Sequence, residues 1–264
     1  MASSSSSADG GVVETIKTVV YALLIAGLFR TLFFQPFFIP SESMKDTLLI
    51  GDFVFVNKMA YGYSKYSCPW ALCPITGRLF GSEPERGDVV VFRHPVNGQD
   101  FIKRLIGLPG EKVQIKDGVV FINGAEVPQV PAGTFEEVMG PQGSMGNRPR
   151  CENDPVGDGD ICTRSRAIET LPNGVAHGVL NISNTEGLPD NSDVYDVPAG
   201  MYFFMGDNRD NSSDSRYSQN ASGVGFVPAE NLVGRADRLM FSSAGSRMWY
   251  FWTWRSDRFF KDVE

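Results

Sequence analysis

The sequence predicts a mostly β protein carried behind one N-terminal transmembrane helix. Two observations point there. The chain's 264 residues include 28 glycines and 16 prolines, which suit turns and are costly inside helices. Short β-like runs, DFVFVNK, GDVVVFRHPVNG, FIKRLIGLPGEKVQI and GVVFINGAEV, then alternate with turn signals. The helix rests on a third observation, an apolar segment close to the N-terminus that is long enough to span a bilayer.

Residues 1–11 begin with Ser3 to Ser7 and end in Gly10 and Gly11. A segment of this composition cannot bury apolar area, so the expectation is a disordered tail. Residues 12–35 are almost wholly apolar and long enough, at about 1.5 Å per residue, to cross a hydrocarbon core of about 30 Å. A cleavable signal peptide or a buried core helix would share this pattern. No small-x-small cleavage site follows, however, and QPFFIPS runs straight on into a polar turn. Lys17 and Arg30 flank the segment on opposite sides, so the positive-inside count barely orients it.

The body after Pro40 is expected to form a β core from 36–127 and 198–264, interrupted by an inserted β or irregular subdomain at 128–197. Asp117-Gly118 and Asn123-Gly124 are two-residue hairpin signals between alternating apolar residues, which predicts a meander over residues 111 to 128. Strand character returns at GMYFFMGDN and LVGRADRLMF. The tail RMWYFWTWRSDRFF reads as core packing by default; an interfacial role for its aromatic residues is the lesser alternative.

A net charge of −7 excludes a broad phosphate-binding surface, so nucleic acid is not an expected partner. The four cysteines fall as close pairs, Cys68 with Cys73 and Cys151 with Cys162, without a histidine at zinc-ligand spacing. No metal and no cofactor are expected. Spacing alone admits two disulfides or four buried thiols; an anchored, exported body favours disulfides and places that body outside the cytoplasm.

Three segments carry candidate chemistry. In IPSESMKDTLLIGD, Ser41 and Ser43 follow a proline just after the anchor, although serines in turns ordinarily cap local backbone. His94 and His177 are the two histidines, and neither has a triad context; G-x-S-x-G and S-x-x-K are absent from the chain. In DFIKRLIGLPG a strand would put Lys103 on one face with Phe101 and Leu105. Burial there would lower its pKa toward neutrality, as a general base requires; a lysine snorkelling from a half-buried strand is the competing reading. GDNRDNSSDSR, Gly206 to Arg216, lacks EF-hand spacing and reads as a hydrogen-bonded scaffold.

PSESM beside an N-terminal anchor, then DFIKRLIGLPGE, then GDNRDNSSDSR, closely resembles bacterial type I signal peptidase, a Ser/Lys dyad serine peptidase family. The resemblance covers residues 36–62, 86–111 and 200–240, and it is loose over 128–198 and the tail. It implies a membrane-bound serine endopeptidase that removes signal peptides from exported preproteins after Ala-x-Ala type sequences. Ser43 would be the nucleophile and Lys103 the base, Ser41 Oγ would join the Ser43 N–H in the oxyanion hole, and Ser212 would hydrogen-bond the Lys103 amine. Arg104 would pair with Asp207, and Asp214 and Arg216 would brace the same turn. Pro36, Phe37, Ile39, Pro40, Met44, Leu48 and Ile102 would line shallow pockets. The implied location is a bacterial inner membrane, single-pass, with the N-terminus cytoplasmic and the catalytic body on the periplasmic side, in contact with the lipid bilayer and functionally associated with the export translocon. Glu42 and Asp46 stand where the family often has glycine and proline, which leaves pocket shape and pH optimum open. The single anchor also differs from members that have two. A self-cleaving Ser/Lys regulator and a non-catalytic tethered β-module that binds a partner are the competing readings.

Overall fold

The computed structural model describes residues 8–68 and 73–263. The chain starts in one helix, α1 (Ala8–Leu32). Its 22-residue stretch Gly11–Leu32 is long and apolar enough to cross a membrane, and side chains such as Val12, Leu23, Leu24 and Ile25 are exposed. The tail expected to be disordered over residues 1–11 is thus helical from Ala8. Residues 1–7 of that expectation lie outside the described residues. The helix stops short of residue 35, since Phe34 already pairs with Asn57 as a strand residue.

Fourteen strands follow among the described residues. The principal sheet contains β1 (Phe34–Phe38), β2 (Asp52–Asn57), β3 (Val89–Arg93), β4 (Asp100–Gly107), β12 (Met201–Met205), β13 (Val227–Pro228) and β14 (Leu232–Ser242) in the order β1-β2-β14-β3-β4-β12-β13. Its register puts Val90 opposite Lys103 and Met205 opposite Arg104. The second sheet joins β5 (Lys112–Lys116), β6 (Val119–Ile122), β7 (Ala125–Glu126) and β11 (Tyr195–Asp196) in the order β11-β5-β6-β7. Both hairpin signals fold as read: Asp117, Gly118, Asn123 and Gly124 all have positive φ, as two-residue turns of the primed type require. Ile106, Phe203 and Met205 of the principal sheet share a buried cluster with Val113, Ile115, Val120 and Ile122 of the second.

The third sheet, β8 (Gln129–Val138), β9 (Ile161–Thr170) and β10 (Ala176–Asn181), has the order β10-β9-β8 and lies within the segment read as an insertion. A Cys151–Cys162 disulfide staples its irregular loop, and Cys68 is bonded to Cys73. The third sheet meets the principal fold at the GDNRDN loop, where the Leu180 N–H donates to the Asp207 carbonyl at 2.9 Å.

The C-terminal aromatic residues do not form the core that their pattern suggested. Trp254 and Phe259 pack on Phe241, whereas Met248, Trp249, Phe251, Trp252 and Phe260 are exposed. Too few apolar neighbours lie over this short run of turns to cover every ring.

Candidate active site

Residues 39–52 join β1 to β2 as a tight turn. Within it the Lys45 N–H donates to the Glu42 carbonyl at 2.9 Å and the Leu48 N–H to the Met44 carbonyl at 2.7 Å. This winding turns Met44 and Leu48 inward, where they are fully buried with Ile39, Val54, Val89 and Leu239. They are core residues, not pocket residues as their position in the motif suggested. Burying each is worth about 1.5–3 kcal/mol, so the apolar half of the turn anchors its polar half. Ser43 is left at the rim, 7% exposed.

Strand β4 brings Lys103 to it. The Lys103 Nζ lies 2.6 Å from Ser43 Oγ and 2.9 Å from the Ile102 carbonyl, with the Phe101 ring 5.5 Å away. Lys103 is 3% exposed. Burial lowers its pKa from 10.5 to about 8, against the opposing pull of Asp214 and Asp207. The snorkelling alternative is thereby set aside: the amine points inward to a serine hydroxyl.

Behind this pair runs the GDNRDNSSDSR loop. Arg104 Nε and Nη2 donate to the two Asp207 oxygens at 2.9 and 2.8 Å, and Thr47 Oγ1 donates to Asp207 at 2.6 Å. Burial alone would raise the Asp207 pKa; the charge and hydrogen bonds of Arg104 outweigh it and hold the carboxyl below its usual range. Asp214 is likewise depressed, with Arg216 bonded to it at 2.9 Å overcoming burial. The Asn208 N–H donates to the Ser43 carbonyl and its side-chain amide to the Glu42 carbonyl, each at 3.1 Å. A Cβ on Gly206 would sit 2.4 Å from the Ser43 carbonyl and 2.3 Å from Ser212 Oγ, so the loop approaches the serine this closely only with glycine there.

Two expectations change. Ser212 is buried beside the loop but makes no hydrogen bond to Lys103; it lies near Asp214 and contributes to that carboxyl's depressed pKa. The charge of Glu42 does not stand open beside Ser43, because Lys45 Nζ and Asn211 Nδ2 donate to it at 2.7 and 2.6 Å. Ser41 Oγ is 3.4 Å from Ser43 Oγ. Sequence reasoning did not single out Thr47, Lys45 or Asn208, although Lys45 and Thr47 lie in IPSESMKDTLLIGD and Asn208 in GDNRDNSSDSR, which was their available signal.

The serine and lysine open onto a cleft of about 580 Å³. Phe37, Ile39, Pro40, Phe101 and Ile102 form its apolar wall, and Asn147, Arg148 and Arg150 approach from the inserted segment. Pro36 pairs with Phe55 in the sheet and does not border this cleft. Neither histidine serves Ser43. The His94 ring contacts the Gly223 carbonyl, and His177 lies 3.4 Å from Glu169.

A family model described as signal peptidase, peptidase S26, matches residues 12–241. A signal peptidase I from Rickettsia typhi is 38% identical over 240 residues, covering 88% of this chain and 81% of that protein. One from Rickettsia massiliae is 39% identical over 232 residues, covering 85% and 77% respectively. A crystal structure of a signal peptidase I from Enterococcus faecalis, 27% identical, aligns over 58% of this chain and 97% of its own with a TM-score of 0.29. With a buried serine–lysine pair at one end of the cleft and a family match running through nearly all of the body, the chain belongs to the S26 signal peptidases.

Proposed function

We propose that the protein removes signal peptides from exported preproteins, with Ser43 as nucleophile and Lys103 as general base. The 2.6 Å approach of a buried amine to Ser43 Oγ carries this reading. Neutral Lys103 accepts the Ser43 proton as Oγ attacks the scissile carbonyl carbon. The tetrahedral oxyanion is held by the Ser43 N–H and Ser41 Oγ, a type of contact worth roughly 3 kcal/mol per donor. Collapse breaks the peptide bond, and protonated Lys103 gives its proton to the leaving amine. Lys103 then takes a proton from water, which attacks the acyl-enzyme; collapse breaks the ester bond, Lys103 returns the proton to Ser43 Oγ, and the signal peptide leaves with its new carboxylate. Arg104 with Asp207, and Arg216 with Asp214, keep the loop behind this pair in place.

The cleft suits a short extended peptide. Phe37, Ile39, Pro40 and Ile102 line it with apolar surface, and the family resemblance favours small side chains just before the cut. Cleavage of an Ala-x-Ala precursor lost in Ser43→Ala, with the fold intact, tests this reading.

We infer that α1 spans a bacterial plasma membrane, with the body on its outer face. Two disulfides support an oxidising compartment for that body. The exposed Trp249, Phe251 and Trp252 are amphipathic or apolar rings of the kind that settle at a lipid headgroup boundary. Replacing Trp249 and Trp252 by Ser in a body lacking the anchor should weaken liposome binding severalfold in a sedimentation assay. Unchanged binding would remove lipid from the role of these rings.

A further inference from the structure

Glu42 and Asp46 lie on either side of Ser43 and reach to the same strand of the inserted sheet. Arg164 and Arg166 are two apart on β9. Arg166 Nε and Nη2 donate to the two Asp46 oxygens at 2.7 and 3.0 Å, a bidentate fork. Arg164, fully buried, lies 3.4 Å from Glu42 and 2.8 Å from Glu137. Glu137 on β8 also receives Lys45 Nζ at 2.7 Å, and Gln142 receives it at 2.9 Å.

The nucleophile turn therefore meets the inserted sheet through Glu42, Lys45 and Asp46. Asp46 has φ of +85°, a conformation closed to proline. Its carboxylate sits so close to β10 that a Cβ on Gly178 would lie 1.5 Å from Oδ2. Arg166 holds the Asp46 carboxylate in that position.

We propose that the β8–β9–β10 sheet is a clamp on the nucleophile turn, with Arg164 and Arg166 as positioning residues that fix Ser43 relative to Lys103 through Glu42 and Asp46. The clamp holds the turn by long-range ion pairs. This rests on Ser43 being the nucleophile. The pairs touch neither Ser43 Oγ nor Lys103 Nζ, so their effect is on the fraction of time the hydroxyl is aligned for attack, which enters kcat more than KM.

The test uses the full-length enzyme in detergent with an Ala-x-Ala precursor, comparing Asp46→Asn, Arg166→Met and the double variant. Asp46→Asn keeps a side chain that tolerates positive φ, and the Asp46–Arg166 pair is partly exposed, with Arg166 at 33%, so these proteins should fold. Each single variant should lose roughly tenfold in kcat with KM within about twofold. The double variant should lose no more than either single, because both remove one coupled interaction. Glu42→Gln, which keeps the shape of the buried side chain, should show the same split. Unchanged kcat per folded enzyme in both singles, or losses that simply multiply in the double variant, would overturn the clamp. Wild-type cleavage that persists in Ser43→Ala would instead refute the nucleophile reading, so the two failures are distinguishable.

Discussion

Replacing Lys103 with Met should lower turnover by roughly 10⁴-fold and at the same time make the protein more stable at neutral pH. The first effect follows because Lys103 is the group that faces Ser43 Oγ. The second follows from linkage. Lys103 titrates near 8 when folded and near 10.5 when unfolded, so between these values the unfolded chain binds the extra proton. Stability therefore rises with pH across that window, and below about 8 the cost of the buried amine is fully present, on the order of 3 kcal/mol. The methionine variant escapes that cost. Denaturant midpoints at pH 7 and pH 10 should show the variant ahead at pH 7 and the gap narrowing at pH 10. In the wild type, kcat/KM should climb through about pH 8 as the base loses its proton. A variant no more stable than wild type at pH 7 would mean that Lys103 is not held in a desolvated site.

Asp207→Ala should unfold or severely weaken the protein. Asp207 and Arg104 are each 1% exposed and bonded through two contacts. Removing one partner of a buried pair costs about 3–5 kcal/mol, a large share of a typical domain stability of about 5–15 kcal/mol. The Asp207 carboxylate also receives Thr47 from the nucleophile turn, so the turn and the loop should loosen together. Because Asp207 raises the Lys103 pKa, any folded Asp207→Asn enzyme should show its rise in kcat/KM at lower pH than the wild type. The Asp207 pKa is depressed on folding. Its contribution to stability is thus present above the ordinary carboxylate range and is lost on acidification, so urea titrations at pH 3 and pH 7 should register a larger loss in the wild type than in Asp207→Asn, where Asp214 still contributes its own.

The contact between Ser43 and Lys103 follows the pairing that the motif resemblance implied; the residues alone left Lys103 open. Ser43 sits in a short motif after the anchor, and Lys103 lies in a strand with apolar alternation. The hairpins at Asp117-Gly118 and Asn123-Gly124 were legible from the residues themselves, since a turn type is set by the two residues that must adopt positive φ. Met44 and Leu48 were misplaced because a motif gives order along the chain but not which way a wound turn faces. Arg164 and Arg166 left no signal: their partners Glu42 and Asp46 are about 120 positions away, and ion pairs at that separation impose no period. The aromatic tail failed for a third reason. A core is made by what covers a side chain, and whether rings in a terminal segment are covered depends on neighbours that its own pattern does not encode.

The most direct test of the account is the reaction of wild type and Ser43→Ala, side by side in detergent, with an Ala-x-Ala precursor and with an acylating serine probe mapped by peptide mass spectrometry. The account predicts precursor cleavage and a single adduct on Ser43 in the wild type, and neither in the variant. Cleavage persisting in a well-folded Ser43→Ala protein, or an adduct on another residue, would contradict it.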